Sequence, residues 1–147
     1  MLRWVAIVLV FAGAGTAVSA YAHDDAGGVE PHEAAVRPSG ATTELSFANA
    51  RLSAHVADSP SEREQGLMHV NTMAANEGMV FAYAEPSARF FWMKNTPLPL
   101  DIAFINAEQR IVKIAQMEPN STVLTPSGGP IVWVVEAHAG WFAQNGV

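Results

Sequence analysis

The sequence feature that most constrains the fold is a series of short apolar runs between residues 78 and 138, each ended by turn-forming residues. Lengths of about seven to nine residues with such boundaries are typical of β-strands. The turns between most runs are short, which predicts an antiparallel meander rather than strands joined by crossover helices. The five runs are 78–84, 88–95, 100–106, 110–118 and 131–138.

Two further strands are predicted upstream, at residues 44–48 and 51–57, with a turn at Asn49 and Ala50. Apolar and polar residues alternate in the second of them, as in a half-buried strand. The chain is therefore expected to have an α+β fold, mostly antiparallel β, built as a small barrel-like or strongly bowed sheet.

One short helix is predicted near residues 60–68. Ser59 suits the N-cap, Pro60 suits the first helical position, and Glu62 completes a capping box. A short C-terminal helical turn is expected before Asn145-Gly146, residues that commonly end helices.

Residues 1–22 have the features of a signal peptide. Arg3 precedes an apolar run of about 14 residues, which is too short to span a bilayer as a helix. Ala20 and Ala22 form the small-residue pattern that signal peptidase reads. We therefore expect cleavage after Ala22 and a periplasmic or secreted protein.

Residues 23–43 are rich in Gly, Pro, Ala and charge without periodicity, and predict a disordered linker before one domain at 44–147. Removing Arg3 changes the formal charge from −6 to −7. This acidity argues against nucleic acid as a partner and against a membrane surface after signal cleavage. The chain has no cysteine, which excludes disulfides and thiol chemistry.

The stretch FFWMKNTPLPLD at residues 90–101 places charges among aromatic and apolar side chains. Read as a strand, it puts Phe90, Trp92 and Lys94 on one face. Lys94 and Asp101 would then lie at the ends of adjacent strands that meet at one rim of the barrel or bowed sheet. Glu136 would also lie at this rim.

Charges at a covered strand end need partners, because an isolated buried charge costs several kcal/mol. One interpretation is an ion-pair network in which Arg63 and Lys94 face Asp101 and Glu136. The other is a polar pocket with an aromatic wall. The candidate binding residues are Arg63, Trp92, Lys94, Asn95, Thr96, Asp101 and Glu136.

Several blocks of the sequence occur in a specific order: SEREQGLMHV, EGMVFAYAE, FFWMKNTPLPLDIAFIN, RIVKI and VVEAHAG. In this order and spacing they resemble domain of unknown function family 192 (DUF192), also catalogued as uncharacterised protein family 0127. The resemblance covers about residues 44–146. The motif residues are Arg63, Gly66, Leu67, Met68, Gly78, Met79, Phe81, Trp92, Met93, Lys94, Asn95, Thr96, Leu100, Asp101, Glu136 and Gly140.

This resemblance implies a compact, mostly β domain with a short helix, often exported, and it implies no activity. Members of the family usually continue past the final AG…G block into a Gly-Asp turn and a last strand. Because this sequence stops at Val147, the domain is expected to lack that strand and to expose a sheet edge.

Three classes of function fit the residues. The first and preferred one is a binding module whose polar and aromatic rim takes an unknown small molecule, glycan or protein. The second is a small periplasmic hydrolase that uses Asp101 and Glu136 as paired carboxylates. No residue is assigned as catalytic, because no nucleophile elbow, zinc-protease or phosphate-loop motif occurs in the sequence.

The third class is a copper-binding periplasmic protein, since thioethers and imidazoles are ligands that suit copper. The candidates are His23, Met68, His69 and His138. Methionines in apolar blocks more often fill the core, so the sequence predicts no metal and no cofactor.

Overall fold

The computed structural model describes Val5, Ala6 and residues 35–147. Apart from Val5 and Ala6, the predicted signal peptide and the first half of the linker lie outside the described residues. The elements are β1 (Val5–Ala6), β2 (Thr42–Phe47), β3 (Ala50–Ala57), α1 (Pro60–Gln65), β4 (Glu77–Ser87), β5 (Phe90–Phe91), β6 (Leu100–Ile105), β7 (Ile111–Met117), β8 (Thr125–Pro126), β9 (Ile131–His138) and α2 (Trp141–Gln144).

The main sheet has the strand order β1-β2-β3-β4-β9-β6-β7, and β5 pairs with β8 in a separate two-stranded ribbon. The sheet is mostly antiparallel and bowed but not closed, which confirms the predicted α+β class. The predicted meander of the runs between residues 78 and 138 is wrong in strand order, because β9 lies between β4 and β6, although these pairings are antiparallel. Upstream of that region, β3 and β4 are parallel. Residues 58–76 join them through α1, and a connection of about a dozen residues or more is what a parallel pair requires.

Helix α1 begins where the sequence predicts. Ser59 is the N-cap and accepts from the Glu62 amide, while the Glu62 carboxylate accepts from the Ser59 amide at 2.9 Å. The helix ends at Gln65 because Gly66 adopts a positive φ of 49° and caps it.

The core lies on both faces of the sheet. One cluster, on the face covered by the segment after α1, includes Leu67, Phe81 and Ile102. The other, on the face covered by α2, includes Val135 and Trp141. Every residue of β6 is buried, including Asp101, because the strand is covered on both faces.

The expected strand at residues 88–95 is the main error of the sequence prediction. Only Phe90 and Phe91 pair as a strand, and the chain turns at Lys94 and Asn95. Asn95 has a φ of 53°, a left-handed conformation that asparagine tolerates and that interrupts a strand. The predicted alternation of faces therefore does not hold beyond Phe91.

Candidate functional site

A cavity of about 380 Å³ opens between α1, β4, β5 and the turn at residues 94–96. It has an apolar wall of Phe81, Phe91 and Leu67 and a polar remainder. Its full lining is Arg63, Glu64, Gln65, Gly66, Leu67, Met68, His69, Phe81, Tyr83, Phe90, Phe91, Trp92, Lys94, Asn95, Thr96 and Glu136.

Glu136 is the buried acid of this cavity, with 4% of its surface exposed. It lies on β9 between Met79 of β4 and Ile102 of β6, its Cα partners in the two neighbouring strands. Within the described residues its carboxyl group has no hydrogen bond or ion pair. Burial raises its pKa to about 8, so at neutral pH the group is mostly a neutral acid that can donate a hydrogen bond.

Arg63 connects α1 to the sheet at the wall of the same cavity. Its Nη1 donates to the backbone carbonyl of Asp58 and, at 3.0 Å, to that of Ala82. Its guanidinium carbon lies 5.0 Å from the centre of the Tyr83 ring, and that of Arg89 lies 3.5 Å from the same centre. Burial raises the pKa of Tyr83 despite these two cations, so the phenol stays protonated at neutral pH.

The turn at residues 94–96 forms another part of the rim. Lys94 Nζ lies 5.4 Å from the centre of the Trp92 ring, and both side chains are exposed. Thr96 is buried and its hydroxyl donates to the Lys94 carbonyl at 3.1 Å. The Asn95 carbonyl accepts from the His69 amide at 2.7 Å, which ties the turn to the segment after α1.

The structure brings together six of the seven predicted binding residues, all except Asp101. Asp101 is a Cα partner of Ala137, and Ile102 is the partner of Glu136, so Asp101 and Glu136 lie on opposite faces of the sheet. The Asp101 carboxylate accepts from the Gly140 amide at 2.8 Å. It therefore holds the start of α2 and does not supply a second carboxylate to the cavity.

The ion-pair interpretation does not hold either. Between residues 35 and 147 the structure has the ion pairs Arg51–Glu44 and His55–Glu77. Neither involves a predicted site residue, because Arg63 is directed to backbone carbonyls and Lys94 to an aromatic ring.

Sequence reasoning missed Tyr83, Phe90 and Phe91 as lining residues. Tyr83 could have been found, since it follows Met79 and Phe81 at alternate positions of one strand and so shares their face. Phe90 could also have been found, because the predicted strand placed it on the same face as Trp92 and Lys94. Phe91 could not, because that prediction put it on the opposite face and the end of β5 depends on the turn at Asn95.

The copper candidates do not form a site in the described part of the chain. Met68 and His69 line the cavity, whereas His138 Nε2 lies 3.0 Å from the Met73 carbonyl oxygen in another place. Among the described residues no group of three or more His, Asp or Glu side chains could hold a metal ion. His23 lies outside the described residues.

Among the helices of the described residues, none has the length and apolar character needed to cross a membrane.

Residues 42–147 match the model of the family DUF192, which is described as Uncharacterized ACR, COG1430. No curated protein is significantly similar to the chain. A crystal structure of a proposed transcription regulator from Sinorhizobium meliloti is 39% identical, with a TM-score of 0.65, over 67% of this chain and 77% of that one. A crystal structure of a protein of unknown function from Novosphingobium aromaticivorans is 28% identical, with a TM-score of 0.67, over 82% of this chain and 94% of that one.

Proposed function

The chain belongs to the DUF192 family, and we propose from the geometry of its cavity that it is an exported module that binds a small ligand. The observation that carries this proposal is the unpartnered, buried carboxyl group of Glu136 at the cavity. Export rests on the predicted signal peptide at residues 1–22.

A buried polar group without a hydrogen bond costs about 1–3 kcal/mol. For Glu136 this cost is relieved only by the small surface that its carboxyl oxygens keep toward the cavity, and its strand neighbours Val134 and Val135 are fully buried and apolar. A leucine there would remove the cost, so the carboxyl group is best explained by a ligand that completes its hydrogen bonding.

The other properties of the cavity agree with this interpretation. Its volume of about 380 Å³ falls in the range of roughly 300–1,000 Å³ that is typical of small-molecule sites. Phe81 and Phe91 give an apolar wall, while Arg63, Tyr83 and Thr96 give a few polar groups that can orient a ligand.

A hydrolase that uses paired carboxylates is not favoured. Glu64 is the other carboxylate that lines the cavity, and it is an exposed residue of α1. Asp101, the predicted partner, lies on the other face of the sheet.

The transcription-regulator description belongs to the Sinorhizobium protein. For this chain, the acidic composition supports a ligand other than nucleic acid.

The test is a screen of small molecules by two-dimensional NMR, with amides of Tyr83, Thr96 and Glu136 as reporters. We expect hits whose shift changes map to the cavity and that bind at least about tenfold more weakly to Glu136→Gln. Asp101→Asn is the matched control, because it makes the same chemical change on the adjacent strand but on the opposite face. Hits that map elsewhere, or that bind both variants equally, would contradict the proposal.

A further inference from the structure

The rim of the cavity continues into an exposed apolar surface beside the β5–β8 ribbon. Among the described residues, seven large hydrophobic side chains are exposed, and four of them belong to the two segments that form this ribbon and its continuation. We call the four the ribbon patch: Phe90 (64% exposed), Trp92 (48%), Val123 (75%) and Leu124 (55%).

The four side chains come from two segments that run side by side. Residues 121–126 lie antiparallel to residues 90–93, because the β5–β8 pairing joins them at one end. At the other end the Met93 amide donates to the Ser121 carbonyl at 2.8 Å. Phe90 and Trp92 also line the cavity, so two of the four side chains of the ribbon patch lie at its mouth. An exposed apolar surface beside a cavity marks a site of interaction.

Cations without a carboxylate partner border this surface. Arg63 and Lys94 line the cavity, and Arg89 directly precedes Phe90. None of the three forms an ion pair within residues 35–147. Glu64 is the one exposed acid in the lining, so the mouth of the cavity is locally basic in an acidic protein.

We propose that the cavity and the ribbon patch together bind one amphipathic anion. Its carboxylate or comparable anionic head enters the cavity near Arg63 and Lys94, and its aliphatic or ring portion lies across the ribbon patch. This inference rests on the proposed function and names the chemical class of the ligand.

The uncharged form of Glu136 is compatible with binding the anionic head group of such a ligand. A neutral carboxyl group donates a hydrogen bond to an oxyanion, and such charge-assisted bonds are among the stronger ones. Burial already keeps the pKa of Glu136 at about 8. A bound anion would raise that pKa further, since a nearby negative charge disfavours ionisation.

Other occupants fit the same surface less well. An ammonium head would meet Arg63 and Lys94 as like charges. A sugar would stack on the Trp92 ring but would leave Val123 and Leu124, which are 75% and 55% exposed, uncovered. A second copy of the chain would bring the same cations face to face.

The experiment compares soluble probes by calorimetry and by tryptophan fluorescence, at about pH 6, where Glu136 is neutral. Octanoate, octyltrimethylammonium and octyl glucoside share one chain and differ in the head group. Butyrate, hexanoate, octanoate and decanoate share one head group and differ in the chain. All are used below the concentrations at which they form micelles.

We expect octanoate to bind at least about tenfold more tightly than the other two head groups. Affinity should rise about two- to fourfold for each added methylene group, the factor that burial of a methylene gives. Lys94→Gln should weaken all carboxylates by a similar factor of about five. Val123→Ser with Leu124→Ser should instead flatten the dependence on chain length and spare butyrate.

Val112→Ser is the matched control, because Val112 is an exposed valine of β7 outside the ribbon patch. It should leave every affinity unchanged. Thermal unfolding of each variant checks that it is folded.

Three results would overturn the inference: a preference for the glucoside or the ammonium compound, affinities that do not change with chain length, or no binding of any probe. Binding to phosphatidylglycerol vesicles without binding of monomeric octanoate would also overturn it, in favour of a membrane surface. Each of these leaves the proposed function standing if another small ligand binds in a Glu136-dependent way, and the two proposals therefore fail separately.

Discussion

The replacement of Glu136 by glutamine should change how the stability of the protein depends on pH. Glutamine keeps the shape and polarity of the neutral acid but cannot ionise. Burial raises the folded-state pKa of Glu136 from 4.5 to about 8. Between those values the native state holds a proton that the unfolded state has released, so the stability of the wild type falls as the pH rises.

The size of the effect follows from that shift. The slope is about 1.4 kcal/mol per pH unit while only the native state is protonated. Over the whole interval the loss would be roughly 5 kcal/mol, an upper value because buried carboxylates relax and admit water. Since domains of this size are stable by about 5–15 kcal/mol, the change is large enough to measure.

The assay is urea unfolding of the wild type and of Glu136→Gln at intervals between about pH 4 and pH 9. The quantity compared is the difference between the two free energies of unfolding, in which the titration of all other groups largely cancels. We expect similar stabilities near pH 4, a growing advantage of the variant above about pH 5, and a plateau above about pH 8. Glu136→Leu also removes the titrating group, so its difference from the wild type should rise with the same slope.

A difference that stays constant across this range would refute the reasoning. It would mean that Glu136 ionises in the folded protein as it does in the unfolded chain, and that its carboxyl group is not buried as described above.

Other substitutions test the elements that hold the site. Gly78→Ala should destabilise the protein by about 2–3 kcal/mol in urea unfolding, because the added Cβ would lie 2.3 Å from the Glu136 carbonyl oxygen; an unchanged midpoint would contradict the close approach of β4 and β9. Arg63→Ala should lower the free energy of unfolding by about 1–2 kcal/mol, since the part-buried carbonyl of Ala82 loses its charged donor. Arg63→Lys should recover only part of that stability, as measured by urea unfolding of the two variants in parallel. Ser59→Ala should cost about 1 kcal/mol through loss of the N-cap of α1, whereas a cost near zero by thermal unfolding would show that the capping box contributes nothing.

The elements that sequence reasoning placed correctly carry strong local signals. β9 is observed with the predicted bounds, Ile131–His138, because it is a long apolar run between turn residues. The start of α1 follows from the capping residues Ser59, Pro60 and Glu62, which act through contacts with their own backbone. Both features depend on residues close together in the chain.

What the sequence could not provide is the register between strands. Alternation shows that Asp101 and Leu100 lie on different faces of β6, but not which residue of β9 each of them meets. Because Asp101 pairs with Ala137 rather than with Glu136, its side chain lies on the face of the sheet opposite to the cavity. The end of β5 was missed for a related reason, since the turn at Asn95 is fixed by contacts with residues 69 and 120–121, distant in the sequence.

The interior of the cavity is formed by the centre of the sheet, whereas its rim is formed by turns. This difference determines which positions tolerate amino-acid substitution. Glu136 lies on a strand with neighbours on both sides, so replacing it alters the core as well as the site. The side chains at positions 90, 92, 94 and 123 are exposed and carry little of the packing. Natural drift or a directed library at those four positions can therefore alter the rim of the cavity while the fold and the buried acid are retained.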